Sequence, residues 1–104
     1  MKRIQNLRVD YSGEIVDLKN FDSDPINEFR NWFEFAEKNK VIEPNAMVLS
    51  TLNDNSINSR TVLLKDISRD GFIFFTNYTS RKGFDIQKNN IVSSVFLWKK
   101  IEKQ

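Results

Sequence analysis

Two short basic segments carry the side chains best suited to chemistry. The first is Arg60-Thr61-Val62-Leu63-Leu64-Lys65, where two cations bracket an apolar, strand-like run. Strict alternation points Arg60 and Lys65 to opposite faces. Both could serve one site only through a bulge, a strand end or two ligands. Otherwise the segment is a half-buried strand with solvated charged ends. The second is Phe75-Thr76-Asn77-Tyr78-Thr79-Ser80-Arg81-Lys82-Gly83. A strand there runs into a hydroxyl-rich turn and then into a helix whose first turn holds Arg and Lys. Free N–H groups at a helix start favour anions, and the helix dipole disfavours cations at that end. Arg81 and Lys82, set against the dipole, point to a bound anion, most simply a phosphate. Plain solvation on a surface helix is the alternative, and pattern alone does not choose between the two. A third segment, Leu7-Arg8-Val9-Asp10-Tyr11, reads by itself as a charged, flexible lead-in.

The remaining composition removes most other chemistry. The 104 residues include no cysteine and no histidine. Disulfides, thiolate nucleophiles and cysteine zinc sites are excluded, as are Ser-His-Asp triads and histidine metal sites. The three glycines, Gly13, Gly71 and Gly83, form no phosphate-cradling loop or dinucleotide fingerprint. Glu14, Asp17, Asp22 and Asp24 are scattered, with nothing to mark a paired-carboxylate site. Sixteen basic against fourteen acidic residues is too even to argue for nucleic acid by charge. With 39% hydrophobic and 29% charged residues, the chain has the balance of one small globular domain. Such a chain has little stability to spare, so a partner subunit or ligand would support it. Met1 to Gln5 is followed by no apolar leader, and Ile91 to Trp98 is too short to cross a bilayer. The expectation is a cytoplasmic chain with no membrane partner.

The elements that must position these residues follow from period and punctuation. Residues 1–23 read as an arm, with a turn near Ser12-Gly13. Asp24-Pro25 opens a helix, with Asp as N-cap and Pro at the first helical position. Ile26, Phe29, Trp32, Phe33 and Ala36 recur at helical spacing. This aromatic stripe reads as core rather than as a stacking platform. The helix should end near Asn39-Lys40, because Glu43-Pro44 forbids continuation. Strands are expected over Ala46–Leu52 and Ser59–Lys65, joined by the turn cluster Asn53 to Ser56. A third strand is expected over Phe72–Asn77 after a tight turn at Asp70-Gly71, covered on both faces because both are apolar. Ser80 should cap a helix from Arg81 to about Lys88, stopped by Asn89-Asn90. A fourth strand is expected over Ile91–Trp98. No turn signal follows, so Val92, Val95, Phe96 and Trp98 would lie on an open edge prone to aggregation.

Taken together these segments resemble the pyridoxamine 5′-phosphate oxidase family. The likeness rests on Asp24-Pro25 with Phe29 and Trp32, Glu43-Pro44-Asn45-Ala46-Met47, Arg60 to Lys65, and Gly71 through Gly83. Its order and spacing run from about Leu7 to Gln104. The resemblance implies a mainly β fold with flanking helices, an incomplete FMN-binding split β-barrel of about four strands with one long and one short helix. It implies an arm over residues 1–23, a partial barrel domain over 24–104, and a homodimer with flavin at the subunit interface. The implied reaction is oxidation of pyridoxine or pyridoxamine 5′-phosphate to pyridoxal 5′-phosphate, part of vitamin B6 metabolism, with O2 reoxidising the flavin. The cofactor would carry the redox step, while the protein orients and supplies charge. No side chain is assigned as catalytic.

Carried across by motif, Arg60, Thr61, Val62, Leu63, Leu64 and Lys65 would line the FMN site. Phe75 and Thr76 would contact FMN, Arg81 and Lys82 would bind its phosphate, and Gln104 would touch the flavin. Lys65 would also meet the substrate phosphate. Arg8, Val9, Asp10 and Tyr11 would form the arm that closes over substrate. Two departures stand out. Lys103 occupies a position where the family usually has Arg, which keeps charge but loses the bidentate fork. Family members also continue well past the position of Gln104, into a part that completes the barrel. The chain is therefore expected to be an N-terminal portion of the family pattern. A non-catalytic FMN-binding module or remnant is the alternative function, and a small barrel binding single-stranded nucleic acid is a more distant one.

Overall fold

The computed structural model describes residues 2–10, 18–77 and 79–104. A short helix α1 spans Lys2–Gln5, and a single 3₁₀ turn covers Leu18–Asn20. Helix α2 spans Pro25–Lys38. As expected, Asp24 caps it: its side chain accepts from the Ile26 N–H at 2.9 Å, and Pro25 opens the first turn. Asn39 closes it, its N–H donating to the Phe35 carbonyl.

Strands β1 (Ala46–Asn53) and β2 (Ser56–Leu63) form a hairpin around Asp54-Asn55. Strand β5 (Val92–Val95) pairs with the other edge of β1, giving the antiparallel order β2-β1-β5. Between them, β3 (Asp66–Ser68) and β4 (Gly71–Ile73) make a separate two-stranded ribbon. Gly71 sits at φ +146°, a backbone conformation L side chains rarely adopt. Helix α3 (Arg81–Lys88) is capped by Ser80, whose hydroxyl accepts from the Gly83 N–H at 3.2 Å.

Several boundaries differ from the sequence expectation. The hairpin turn is only two residues long, so β2 begins at Ser56 rather than Ser59. It ends at Leu63; Leu64 N–H still donates to the Asn45 carbonyl just before β1, and the chain changes partner at Lys65, whose N–H donates to the Ile73 carbonyl. A fifth strand, β3, is present. The strand expected over Phe72–Asn77 covers only Gly71–Ile73, because a three-residue partner leaves nothing for Phe74 to Asn77 to pair with. It is covered on one side only: Phe72, Phe74 and Thr76 are half-buried, whereas Ile73, Phe75 and Asn77 are exposed. The last strand stops at Val95. Past it, Lys99–Ile101 form a 3₁₀ turn, Glu102 takes a left-handed conformation, and Lys103 returns to bridge Trp98. Phe96 and Trp98 are buried rather than open; only Val92 and Val95 of that group are exposed. The expected turn at Ser12-Gly13 lies outside the described residues.

The first sheet has two unlike faces. Met47, Leu49 and Thr51 of β1 are buried beneath the helices, and register places Val62, Arg60 and Asn58 of β2 beside them. The opposite face presents Val48, Leu63 and Val95, each 38–47% exposed. Apolar packing gathers under α2, where Ala36, Met47, Leu64, Phe96 and Trp98 form the core. Phe29 is its hub, with ring centroids 4.4 Å from Phe72, 4.8 Å from Phe96 and 5.4 Å from Trp98. Trp98 satisfies its indole N–H on the Pro44 carbonyl at 2.9 Å. The aromatic stripe of α2 is core, as its spacing suggested. The radius of gyration, 16.3 Å, exceeds the roughly 13 Å of a closed domain of this length. That openness matches a sheet covered on one face.

Candidate functional site

Beyond Leu49, the covered face of β1 turns from apolar to polar. Thr51 stands in register with Asn58 of β2, two residues from the Leu49–Arg60 pair. Alternation puts all three polar side chains on the helix side. Helix α3 brings Asp85 onto them, fully buried. A carboxylate out of water must be answered by donors or cations. Asp85 Oδ2 accepts from Thr51 Oγ1 at 2.9 Å and from Asn58 Nδ2 at 3.2 Å. Arg60 Nη2 lies 3.9 Å from the same oxygen. Arg60 Nη1 donates to Thr51 Oγ1 at 2.8 Å, to the Asn58 carbonyl at 3.1 Å and to the Leu49 carbonyl at 3.4 Å. The Thr51 hydroxyl thus accepts from the guanidinium and donates to the carboxylate, using both of its capacities.

Arg81 completes the cluster from one helical turn before Asp85. Its Nε sits 3.3 Å from Asp85 Oδ1, and its side chain is 61% exposed. Oδ1 is buried and accepts no aligned hydrogen bond, so the Arg81 contact is an ion pair without hydrogen-bond geometry. The cation in the first turn of α3 therefore has an internal partner as well as an outward face. Lys82 follows, half-buried. Arg60, Arg81 and Lys82 against Asp85 leave positive charge in excess at this corner.

The turn leading into α3 is rich in oriented hydroxyls. Ser80 Oγ donates to the Asn77 carbonyl at 2.7 Å and lies 3.3 Å from Thr76 Oγ1. Thr79 donates its N–H and its hydroxyl to Asn77 Oδ1, at 2.9 and 2.8 Å. Phe75, three-quarters exposed, stands in the same segment. Tyr78 lies outside the described residues.

The other candidate residues are distributed as follows. Val62 and Leu64 direct their side chains into the core. Thr61 and Leu63 are exposed on the sheet face opposite Arg60. Lys65 is exposed just past β2. Gln104 lines an open, mainly apolar cleft of about 610 Å³ with Phe29, Trp32, Phe96 and Trp98. Lys103 lies 5.0 Å over the ring of Trp32. Arg8 and Asp10 form an exposed ion pair at 3.6 Å, and with Val9 they line a shallow cavity beside Lys99. Tyr11 lies outside the described residues. The structure thus joins Arg60 to Arg81 and Thr76 to Ser80, while the Gln104 cleft and the arm cavity are lined by neither arginine.

Sequence reading did not single out Asp85, Thr51 or Asn58. One signal was available: Asp85 stands four residues after Arg81, the spacing of a helical ion pair. Another was Thr51, a polar residue continuing the buried alternation of Met47 and Leu49.

Comparison with known proteins agrees with this architecture. Residues 33–104 match the family model described as pyridoxamine 5′-phosphate oxidase. A pyridoxine/pyridoxamine 5′-phosphate oxidase 2 from Hydrogenovibrio crunogenus is 48% identical over 102 residues, covering 97% of this chain and 48% of that protein. A pyridoxine/pyridoxamine 5′-phosphate oxidase from Salinibacter ruber is 43% identical over 105 residues, covering 100% of this chain and 49% of that one. The chain spans about half the length of the curated relatives it matches. Among solved structures, PhzG from Burkholderia lata 383, in complex with tetrahydrophenazine-1-carboxylic acid, superimposes with a TM-score of 0.80. It is 29% identical, and the match covers 86% of this chain and 46% of that one. With a family model matched over most of its length and this mainly β, split-barrel architecture, the chain belongs to the pyridoxamine 5′-phosphate oxidase family.

Proposed function

We propose that this chain binds FMN and takes part in oxidising pyridoxine or pyridoxamine 5′-phosphate to pyridoxal 5′-phosphate. The observation that carries the reading is the convergence of Arg60 from β2 and Arg81 from α3 on Asp85, beside a turn of oriented hydroxyls. This donor set suits a phosphate. It combines guanidinium groups, an ammonium and a helix start, with positive charge in excess. Bound FMN would supply the two-electron oxidation, with O2 as the final acceptor reduced to hydrogen peroxide.

The chain's own residues bind and orient. Arg81 offers its exposed guanidinium to the FMN phosphate, and Lys82 adds a second charge. Arg60 is held half-buried by Thr51 and forms the inner wall of the phosphate corner. Val62 and Leu64, with their side chains in the core, face the cofactor through backbone groups only. Phe75 and Thr76 flank the corner, and Gln104 contacts the flavin from its cleft. Lys65 meets the substrate phosphate, and the arm residues Arg8, Val9, Asp10 and Tyr11 close over the substrate. A homodimer brings these dispersed groups to one cleft, with flavin between subunits.

The test titrates FMN into the purified chain, follows quenching of flavin fluorescence, and then adds pyridoxine 5′-phosphate with detection of peroxide. Saturable quenching followed by peroxide supports the reading, and absence of saturable quenching contradicts it. A second reading, FMN binding without turnover, is favoured by the separation of the Gln104 cleft from the arginine corner. It predicts quenching with no peroxide.

A further inference from the structure

We infer that Asp85 is a positioning residue for anion recognition: through its buried carboxylate it fixes Arg60 and Arg81, one from each wall, in the arrangement that receives a phosphate. The inference rests on the phosphate-binding reading above and goes beyond it, because Asp85 itself would repel that ligand. Four contacts converge on this side chain from three elements: Thr51 of β1, Asn58 and Arg60 of β2, and Arg81 of α3. The carboxylate is fully buried, so it is not available to solvent or ligand. What it offers is orientation. It engages Arg81 through Nε, at one edge of the guanidinium. The Arg81 side chain as a whole is 61% exposed, which leaves it open to a ligand. An ion pair to a buried carboxylate narrows the positions the guanidinium samples before ligand arrives, which reduces the ordering cost of binding. Arg60 is restrained differently, by Thr51 and two carbonyls, with Asp85 balancing its charge inside the fold.

Two effects of removing the charge oppose each other. Loss of a nearby anion strengthens the attraction of the remaining cations for a phosphate. Loss of the anchor frees Arg81 to rotate and leaves Arg60 half-buried without a counter-charge. The ion pair is anchored on a fully buried carboxylate, so we expect the second effect to dominate.

The test uses the full chain and two probes that differ only in the phosphate, FMN and riboflavin. The preference for FMN is the ratio of the two dissociation constants from fluorescence quenching. Asp85→Asn keeps the shape of the side chain and removes its charge. The preference should fall about tenfold, the low end of the loss seen when a partner that orients a metal ligand is removed, while riboflavin affinity stays unchanged. Thr51→Val keeps the charge but removes the hydroxyl shared by Arg60 and Asp85. It should lower the preference by a smaller factor, and it stands in for Asp85→Asn should that variant not fold. An unchanged or increased preference, or equal loss for both probes, overturns the positioning role. If the unaltered chain itself binds FMN no more tightly than riboflavin, the phosphate reading fails and the role of Asp85 falls with it. That outcome is read before any variant is made.

Discussion

The covered face of β1 is built in two ways along its length. At one end Met47 packs with Leu64, Phe96 and Trp98 beneath α2, where aromatic rings meet at centroid distances of 4.4–6.2 Å. At the other end Thr51 meets Asn58, Arg60 and Asp85 beneath α3, in contacts of 2.8–3.9 Å between polar atoms. Leu49, 1% exposed, separates the two regions. The apolar region gains from area and shape, and its contacts carry no direction. The polar region gains little net stability from its buried charges but holds both guanidinium groups against one carboxylate. One strand thus anchors a core and an oriented pair of cations. The two regions should therefore fail differently: one by unfolding, the other by losing selectivity for an anion.

The largest expected effect is on the core. Trp98→Ala removes a nearly fully buried indole and leaves the Pro44 carbonyl without its donor. It should destabilise the fold by about 3–5 kcal/mol, read by urea denaturation. Any fraction that stays folded should keep its preference for FMN over riboflavin. A loss of that preference in the folded fraction would dissolve the distinction between the regions.

A smaller effect is expected at the junction of turn and helix. Ser80→Ala removes the cap of α3 and the hydroxyl that holds Asn77. It should cost about 1 kcal/mol of stability, seen as a lower midpoint in the same denaturation. FMN affinity should fall as well, because α3 carries Arg81, Lys82 and Asp85. The smallest effect belongs to the uncovered side of the sheet. Ile57, 69% exposed, can be changed to Lys with a stability change of no more than about 0.5 kcal/mol. A large loss by denaturation would mean that this face is covered in solution.

What the sequence disclosed about these regions follows from how local each signal is. Helix α2 was legible because Asp24, Pro25 and the Phe29–Phe33 stripe lie within one window and act through one period. Helix α3 was legible for the same reason, from Ser80 to Asn89. The strand expected over Phe72–Asn77 was overextended because pairing decides strand length, and its partner β3 has only three residues. Arg81 and Lys82 were visible as an anion signal, whereas the partner of Arg81 lies one turn on in the same helix, where an acidic residue reads as ordinary surface. The polar cluster was hidden for a deeper reason. Thr51 and Asp85 are 34 residues apart, and Asn58 and Asp85 are 27 apart. Only the register of β1 with β2, and the seating of α3 on β1, brings them together. Family resemblance supplied the residues proposed to face the ligand, but not the buried carboxylate beside Arg60 and Arg81.

The most direct measurement compares FMN with riboflavin on the unaltered chain and on the double variant Arg81→Ala, Lys82→Ala. Two charge-assisted contacts to one phosphate are at stake, each worth about 1.5–3 kcal/mol. The unaltered chain should bind FMN at least about tenfold more tightly than riboflavin, and the double variant should bind the two alike. Equal FMN affinity in both proteins would contradict that expectation.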